Sequence, residues 1–388
     1  MEGLRGVWAL RDARGYDRFL VQAFVAETRV LEITGEEMGE VELLGLSQEF
    51  TLFCGNMGHS SSSTSAVFAQ ITPTKIRLID ISPSSPVGLL FEFVAPRPIT
   101  VGTCNASRLV VALAGGELMS FELAASGRAL EPSASITLEH DIACLSLHSE
   151  ATSSSSSDSL AADDVQVRMV DESITSSTSE LLVVGMWTDG SVRLLEAASL
   201  MEVARASTKA EGTGELRHTQ ARSALLARLG DCTHSTLLVG LGDGTLLIFN
   251  VEGEESSSAT TASNKLSVAK RMTLGTQPIG LTSFLSAGMV CSFAACDRPT
   301  VVYGRNDKVA LSVVNTGEVS SMTPFSSELF PECIALVRES GLTVASVDDI
   351  QKIHVLSYPL QQTPKRIAYS KSATVFAGVP LYCASSAL

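Results

Sequence analysis

Seven times along the chain an apolar run, a tight polar turn and a second apolar run follow one another. The copies are LVQAFVAETRVLEI (20–33), VFAQITPTKIRLID (67–80), LVVALAGGELMSFE (109–122), LVVGMWTDGSVRLLE (182–196), LLVGLGDGTLLIFN (237–250), VCSFAACDRPTVVYG (290–304) and TVASVDDIQKIHVLS (343–357). Many of the runs carry β-branched residues. The turns carry signals such as Thr-Asp-Gly and Gly-Asp-Gly, so each copy predicts a β-hairpin. The starts lie about 42 to 55 residues apart, with one gap of about 73 that holds a serine-rich insertion. A hairpin repeated at that period cannot bury its own apolar faces, and neighbouring copies must stack.

Each hairpin has flanking runs that complete a four-strand unit, with strands a, b, c and d from the inside outward. Strand a is read in GVWAL (6–10), FTLFCGN (50–56), ITVGTCN (99–105), IACLSLH (142–148), SALLARL (223–229), IGLTSFL (279–285) and ECIALV (332–337). A more polar strand d follows the hairpin in stretches such as VELLGL (41–46), MEVARAS (201–207), EVSSMTPF (318–325) and KRIAYS (365–370). The fold class is therefore all-β: a single seven-bladed β-propeller of four-stranded antiparallel blades, strand a lining the central channel. Residues 1–370 are expected to form the propeller, closed by packing of blade seven (about 332–370) on blade one (about 6–46). The segment 215–229 has helical propensity, but the repeat requires a strand in its second half, and propensity is the weaker signal.

Antiparallel order assigns the loops to faces. The b–c and d–a loops emerge on one face, the a–b and c–d loops on the other. The insertion 149–180 lies between strands a and b of blade four. It is dominated by Ser, Thr, Asp and Glu, and it predicts disorder because it has too little apolar area to offset its ordering entropy. The polar stretches 252–265 and 59–65 fall on the same face, which leaves the b–c/d–a face compact.

Charge narrows the function classes. The net charge is −14, which repels phosphate backbones and argues against direct nucleic-acid binding, and the basic pairs Lys270–Arg271 and Lys365–Arg366 stand isolated. No apolar run reaches the roughly 18 residues a membrane-spanning helix needs, and the N-terminus lacks the apolar core of a signal peptide. Most of the eight cysteines sit in or beside strands as buried thiols without a disulfide framework.

Catalytic signatures are missing. GLGDGT (240–245) joins two strands and reads as a hairpin turn, not a phosphate loop. Cys291 and Cys296, five apart along a strand, point to opposite faces. The histidines are scattered, no GxSxG elbow occurs, and no cofactor is expected. The remaining candidates are Trp187 and Asp141. Trp187 occupies a hairpin turn that ordinarily takes small polar residues, either as an exposed interface anchor or folded back on its blade. Asp141, with Glu139 and His140, forms the d–a loop entering the same blade, either a solvated charged turn or a protein-docking rim on the face of Trp187.

The stretches EITGEEMGEVELLGL, FCGNMGH, EHDIACLSL, GMWTDGSVRLL, RMTLGTQPIGL, ACDRPTVVY and VDDIQKIHVLSYPLQQTPKRIAY resemble, in order, the middle propeller of the DNA damage-binding protein 1 family. More distant relatives are the splicing factor 3b propeller subunit and the large subunit of the cleavage and polyadenylation specificity factor. The resemblance implies a non-enzymatic adaptor propeller that docks a cullin 4-type scaffold of a ubiquitin ligase, acts in DNA repair and resides in the nucleus and cytoplasm. Substrate receptors would bind other propellers of that family's longer chains. By position, the cullin-facing rim corresponds to Asp141 and Trp187. The family more often has Glu at 141, and Asp keeps the charge with a shorter reach. The closing PLYCASSAL leaves the family pattern, so 371–388 is read as the truncated start of a following segment. The alternatives are an RNA-processing scaffold, the role of the two distant relatives, and a propeller enzyme, which needs converging polar groups in the channel.

Overall fold

Blade three shows how the sequence builds the fold. Its second strand, Arg108–Leu113, is buried along its whole length. Alternate side chains of a strand face opposite ways. Leu109, Val111 and Leu113 accordingly enter the core shared with blade two, and Val110 and Ala112 enter the core shared with blade four. The second strand of blade four, Leu181–Met186, repeats the arrangement. Leu182, Val184 and Met186 face blade three, and Leu181 and Val183 face blade five. Each blade is thus apolar on both sides, and the core is a ring of interblade seams.

The computed structural model describes residues 3–34, 37–58, 66–82, 88–148, 180–209, 220–252, 265–339, 341–347, 364–370 and 375–380. Among these there is no helix. The chain divides into a unit Met1–Asp348 and a unit Asp349–Leu388. The first is the seven-bladed β-propeller the repeat predicts. Six blades are four-stranded antiparallel sheets in simple sequential order, and the seventh has three described strands. Their innermost strands are Leu4–Arg11, Phe53–Met57, Ile99–Cys104, Ile142–His148, Ala221–Ala227, Gly280–Ser286 and Ser321–Phe325. Each touches the next, and the last touches the first, around the channel. Ala221–Ala227 is a strand, so the repeat outweighs helical propensity there. In the second unit Pro364–Ser370, which includes the stretch read as the outer strand of blade seven, pairs antiparallel with Val375–Pro380.

The strand assignment slips by one position after blade six. Its outer strand is Lys308–Val313, not 318–325. Asn306 and Asp307, at φ 50° and 58°, make a two-residue turn with both residues left-handed, which leaves no visible gap between strands c and d. Ser321–Phe325 is therefore the innermost strand of blade seven, Cys333–Arg338 its second and Gly341–Ser346 its third. The second half of the hairpin read at 343–357 lies outside the described residues, as does nearly all of the 149–180 insertion.

Two joints matter later. Blade one closes on blade seven through Val7, Leu20, Ile33, Phe325, Ala335 and Val337. Asp17 N–H donates to the Ser326 carbonyl at 2.8 Å, and Ser326 N–H donates to Asp17 Oδ2 at 2.7 Å. Where the chain re-enters blade four, Glu180 Oε2 accepts from Arg108 Nε at 2.8 Å, and its Oε1 accepts from Asn105 Nδ2 at 2.9 Å and Ser107 Oγ at 2.8 Å. Blades three and four are clasped there by a largely buried ion pair.

Candidate functional site

The b–c turn of blade four runs from Trp187 to Gly190 and projects on the compact face. Gly190 takes a left-handed φ of 64°. Asp189 organises the turn: its carboxylate accepts from Ser191 N–H at 2.8 Å and from Arg205 at 2.8 Å, and it lies 3.4 Å from Arg193. Burial alone would raise the Asp189 carboxyl, but the bonds from Ser191, Arg193 and Arg205 outweigh it and hold it below its ordinary value. The turn is therefore rigid and keeps its charges paired. The Asp-Gly at 243–244 makes the equivalent turn one blade on. Asp243 Oδ1 accepts from Thr245 N–H at 3.0 Å and Gly244 sits at φ 80°, the hairpin geometry expected of GLGDGT.

Trp187 and Asp141 come together. The Trp187 N–H donates to the Asp141 carbonyl at 2.9 Å. The tryptophan stays 39% exposed, and the Arg222 guanidinium lies over its ring at 5.4 Å from the centroid. It neither folds back on its own blade nor stands free. It leans toward blade five, with one face covered by a cation, an arrangement worth about 0.5–1 kcal/mol at exposed sites.

Asp141 differs from a free rim charge. Its Oδ1 accepts from the Gly115 N–H at 2.8 Å, across the joint from the b–c turn of blade three. Gly116 allows that contact: at φ 79° its backbone passes so close that an added Cβ would lie 2.6 Å from the His140 carbonyl oxygen and 2.8 Å from that of Leu138. The carboxylate thus fixes the loop whose carbonyl holds Trp187. Glu139, 75% exposed at its side chain, is the outward acid of the loop, 3.6 Å from Arg193. Arg222 was invisible to pattern reading. It is one of several alternating residues in ARSALLA, and only the antiparallel order that starts strand a on this face would have marked it.

Seven cysteines are described, all free, and burial pushes the thiols of Cys104 and Cys144 up to about 12. No group of three metal-binding side chains occurs among the described residues. A channel cavity of about 390 Å³ is lined by Arg5, Trp8, Phe53 and small hydroxyl, thiol and aliphatic groups, without a carboxylate or histidine.

Comparison with known proteins agrees with the architecture. Residues 1–347 match the family model described as the RSE1/DDB1/CPSF1 second beta-propeller. The chain is 34% identical to DNA damage-binding protein 1a of Arabidopsis thaliana over 382 residues, covering 97% of this chain and 30% of the relative. It is 33% identical to DNA damage-binding protein 1b of the same plant, over 97% of this chain and 31% of that protein. To DNA damage-binding protein 1 of Solanum lycopersicum it is 34% identical, over 97% and 31%. The chain thus spans about 30% of the length of these relatives. With the closed ring of seven blades and a match along almost all of the propeller, the chain belongs to the RSE1/DDB1/CPSF1 second β-propeller family.

Proposed function

We propose that this propeller is a non-enzymatic docking module that binds a cullin 4-type scaffold through the b–c/d–a face of blade four, as part of a ubiquitin ligase adaptor acting in DNA repair in the nucleus. Family membership supports an adaptor or scaffold role. The observation that carries the finer reading is the half-exposed Trp187, held by the Asp141 carbonyl and backed by Arg222 on a rigid turn. An aromatic side chain whose position is fixed before binding loses little entropy on docking and supplies the area typical of an interface anchor. Asp141 serves as a positioning residue and Glu139 as the charge that meets solvent. Substrate receptors are expected to bind the parts of the longer relatives that this chain does not span.

The test is titration of the full chain with the N-terminal segment of a cullin 4. Trp187→Ala should weaken binding by about 2 kcal/mol or more, roughly thirtyfold, with an unchanged melting temperature. Binding that survives the substitution would return Trp187 to an ordinary surface residue. Co-purification with splicing or polyadenylation factors in place of a cullin would favour the RNA-processing reading.

A further inference from the structure

The Lys and Arg ion pairs seen between described side chains take their cations from blades one to four, between Arg11 and Arg205. Blades five and six differ. Their described segments, 220–252 and 265–313, contain eight Lys or Arg against five Asp or Glu, in a chain whose net charge is −14. Four of the acids are tied to backbone amides: Asp231 to Asn306 N–H, Asp243 to Thr245, Asp297 to Thr276 and Asp307 to Thr233. Those bonds hold the carboxylates in the chain's own turns, and among the described side chains no lysine or arginine of this sector lies within 4 Å of a carboxylate.

Two of these cations, Lys270 and Lys308, meet at one cleft. Between the outer strands of blades five and six lies a groove of about 550 Å³, within the size range of ligand clefts, about 300–1,000 Å³. Its floor is apolar, made by Ile248, Val309 and Cys232, and its rim carries Lys270, Lys308 and His234. Lys270 belongs to the outer strand of blade five, Lys265–Thr273, opposite Ile248 in the register. Lys308 begins the outer strand of blade six. The two are 38 positions apart in sequence, which is why Lys270 reads as part of an isolated basic pair. One acid, Asp307, also lines the groove, with its Oδ1 already accepting from the Thr233 N–H and Oγ at 2.9 and 2.8 Å.

We propose that this groove is a docking site for an acidic peptide segment of a partner protein, with an apolar side chain on the Ile248–Val309 floor and flanking carboxylates at Lys270 and Lys308. A short apolar-floored cleft with two ammonium groups on its rim matches alternating acidic and apolar residues. It offers no continuous basic track for a phosphate backbone. The site is separate from the Trp187 face and does not depend on the reading of that face.

The test uses the full chain and a fluorescein-labelled peptide of alternating glutamate and leucine, followed by anisotropy. Binding is expected to fall with added salt and to weaken roughly tenfold in Lys270→Glu/Lys308→Glu, while Trp187→Ala binds as the parent does. A peptide with lysine in place of glutamate should not bind. Both lysines are exposed, and a thermal melt confirms folding; if the double reversal fails to fold, Lys270→Gln and Lys308→Gln singly carry the test. Absence of peptide binding, or binding indifferent to these substitutions, overturns the proposal. Duplex or single-stranded DNA that binds through the same lysines while the peptide does not would also overturn it.

Discussion

Glu180 offers a direct measure of how firmly blade four is clasped to blade three. Glu180→Ala removes the acceptor of three side-chain donors and leaves Arg108, 8% exposed, without its close partner. Breaking a buried pair from one side costs about 3–5 kcal/mol when the remaining charge has nothing else to bind. Arg108 would keep Glu122 at 3.6 Å and the hydroxyls of Ser120 and Ser133 at 3.3 and 3.2 Å. With that residual solvation the expected loss is about 2–3 kcal/mol, read as a lower urea midpoint at unchanged slope. Acidity gives an independent check. Burial alone would raise the Glu180 carboxyl, but the bonds from Arg108, Asn105 and Ser107 prevail and place it below its ordinary 4.5. A carboxylate lowered on folding contributes its full stability above the ordinary value and loses it as the pH falls through the folded one. The gap between parent and Glu180→Ala should therefore be widest above pH 4.5 and close on acidification. A midpoint shift worth less than about 0.5 kcal/mol, or a gap that does not narrow in acid, would show that the pair behaves as a surface contact.

Four further outcomes are expected. Asp141→Ala should cost about 1 kcal/mol of stability by chemical denaturation, the worth of its bond to Gly115, and should weaken cullin binding by loosening the loop that holds Trp187, as read by titration. Gly116→Ala should cost about 2 kcal/mol from its left-handed backbone and the His140 contact, measured by thermal melt. Arg222→Ala should weaken cullin binding less than Trp187→Ala and leave the melt unchanged, as checked by titration of both variants. Phe325→Ala, at a fully buried seam position, should destabilise by about 3–5 kcal/mol in urea.

Much of the fold was legible because both faces of every blade are buried. Strands such as LVVAL and LLVVGM must then read as continuous apolar runs, and a repeat of such runs announces itself. The slip at blade seven has a physical origin: a two-residue Asn306–Asp307 turn hides a strand boundary, whereas the longer connection at 314–320 imitates one. The candidate site was legible only in part. Antiparallel order placed Trp187 and Asp141 on one face, but a sequence does not show that a carboxylate is spent across a blade joint. That depends on Gly116 bringing a neighbouring backbone within reach. Arg222 and the Lys270–Lys308 groove were hidden for a related reason, since each joins residues from different blades.

The joint between blades one and seven differs from the other six in the length of chain it spans. The partners Asp17 and Ser326 lie 309 residues apart, and Ala9 and Thr323 are 314 apart. Bringing together the ends of a flexible segment that long costs about 5 kcal/mol in chain entropy, against blade pairs elsewhere that meet across some fifty residues. Among the described strands none is shared across the joint, and no β-ladder between them zips it shut from one side. Folding is therefore expected to build an open arc of stacked blades first and to join its ends last. On that order Phe325→Ala should leave the folding rate nearly unchanged and appear almost wholly as faster unfolding, a φ-value near zero. The residues that make the ring a ring would then hold it closed without helping it form.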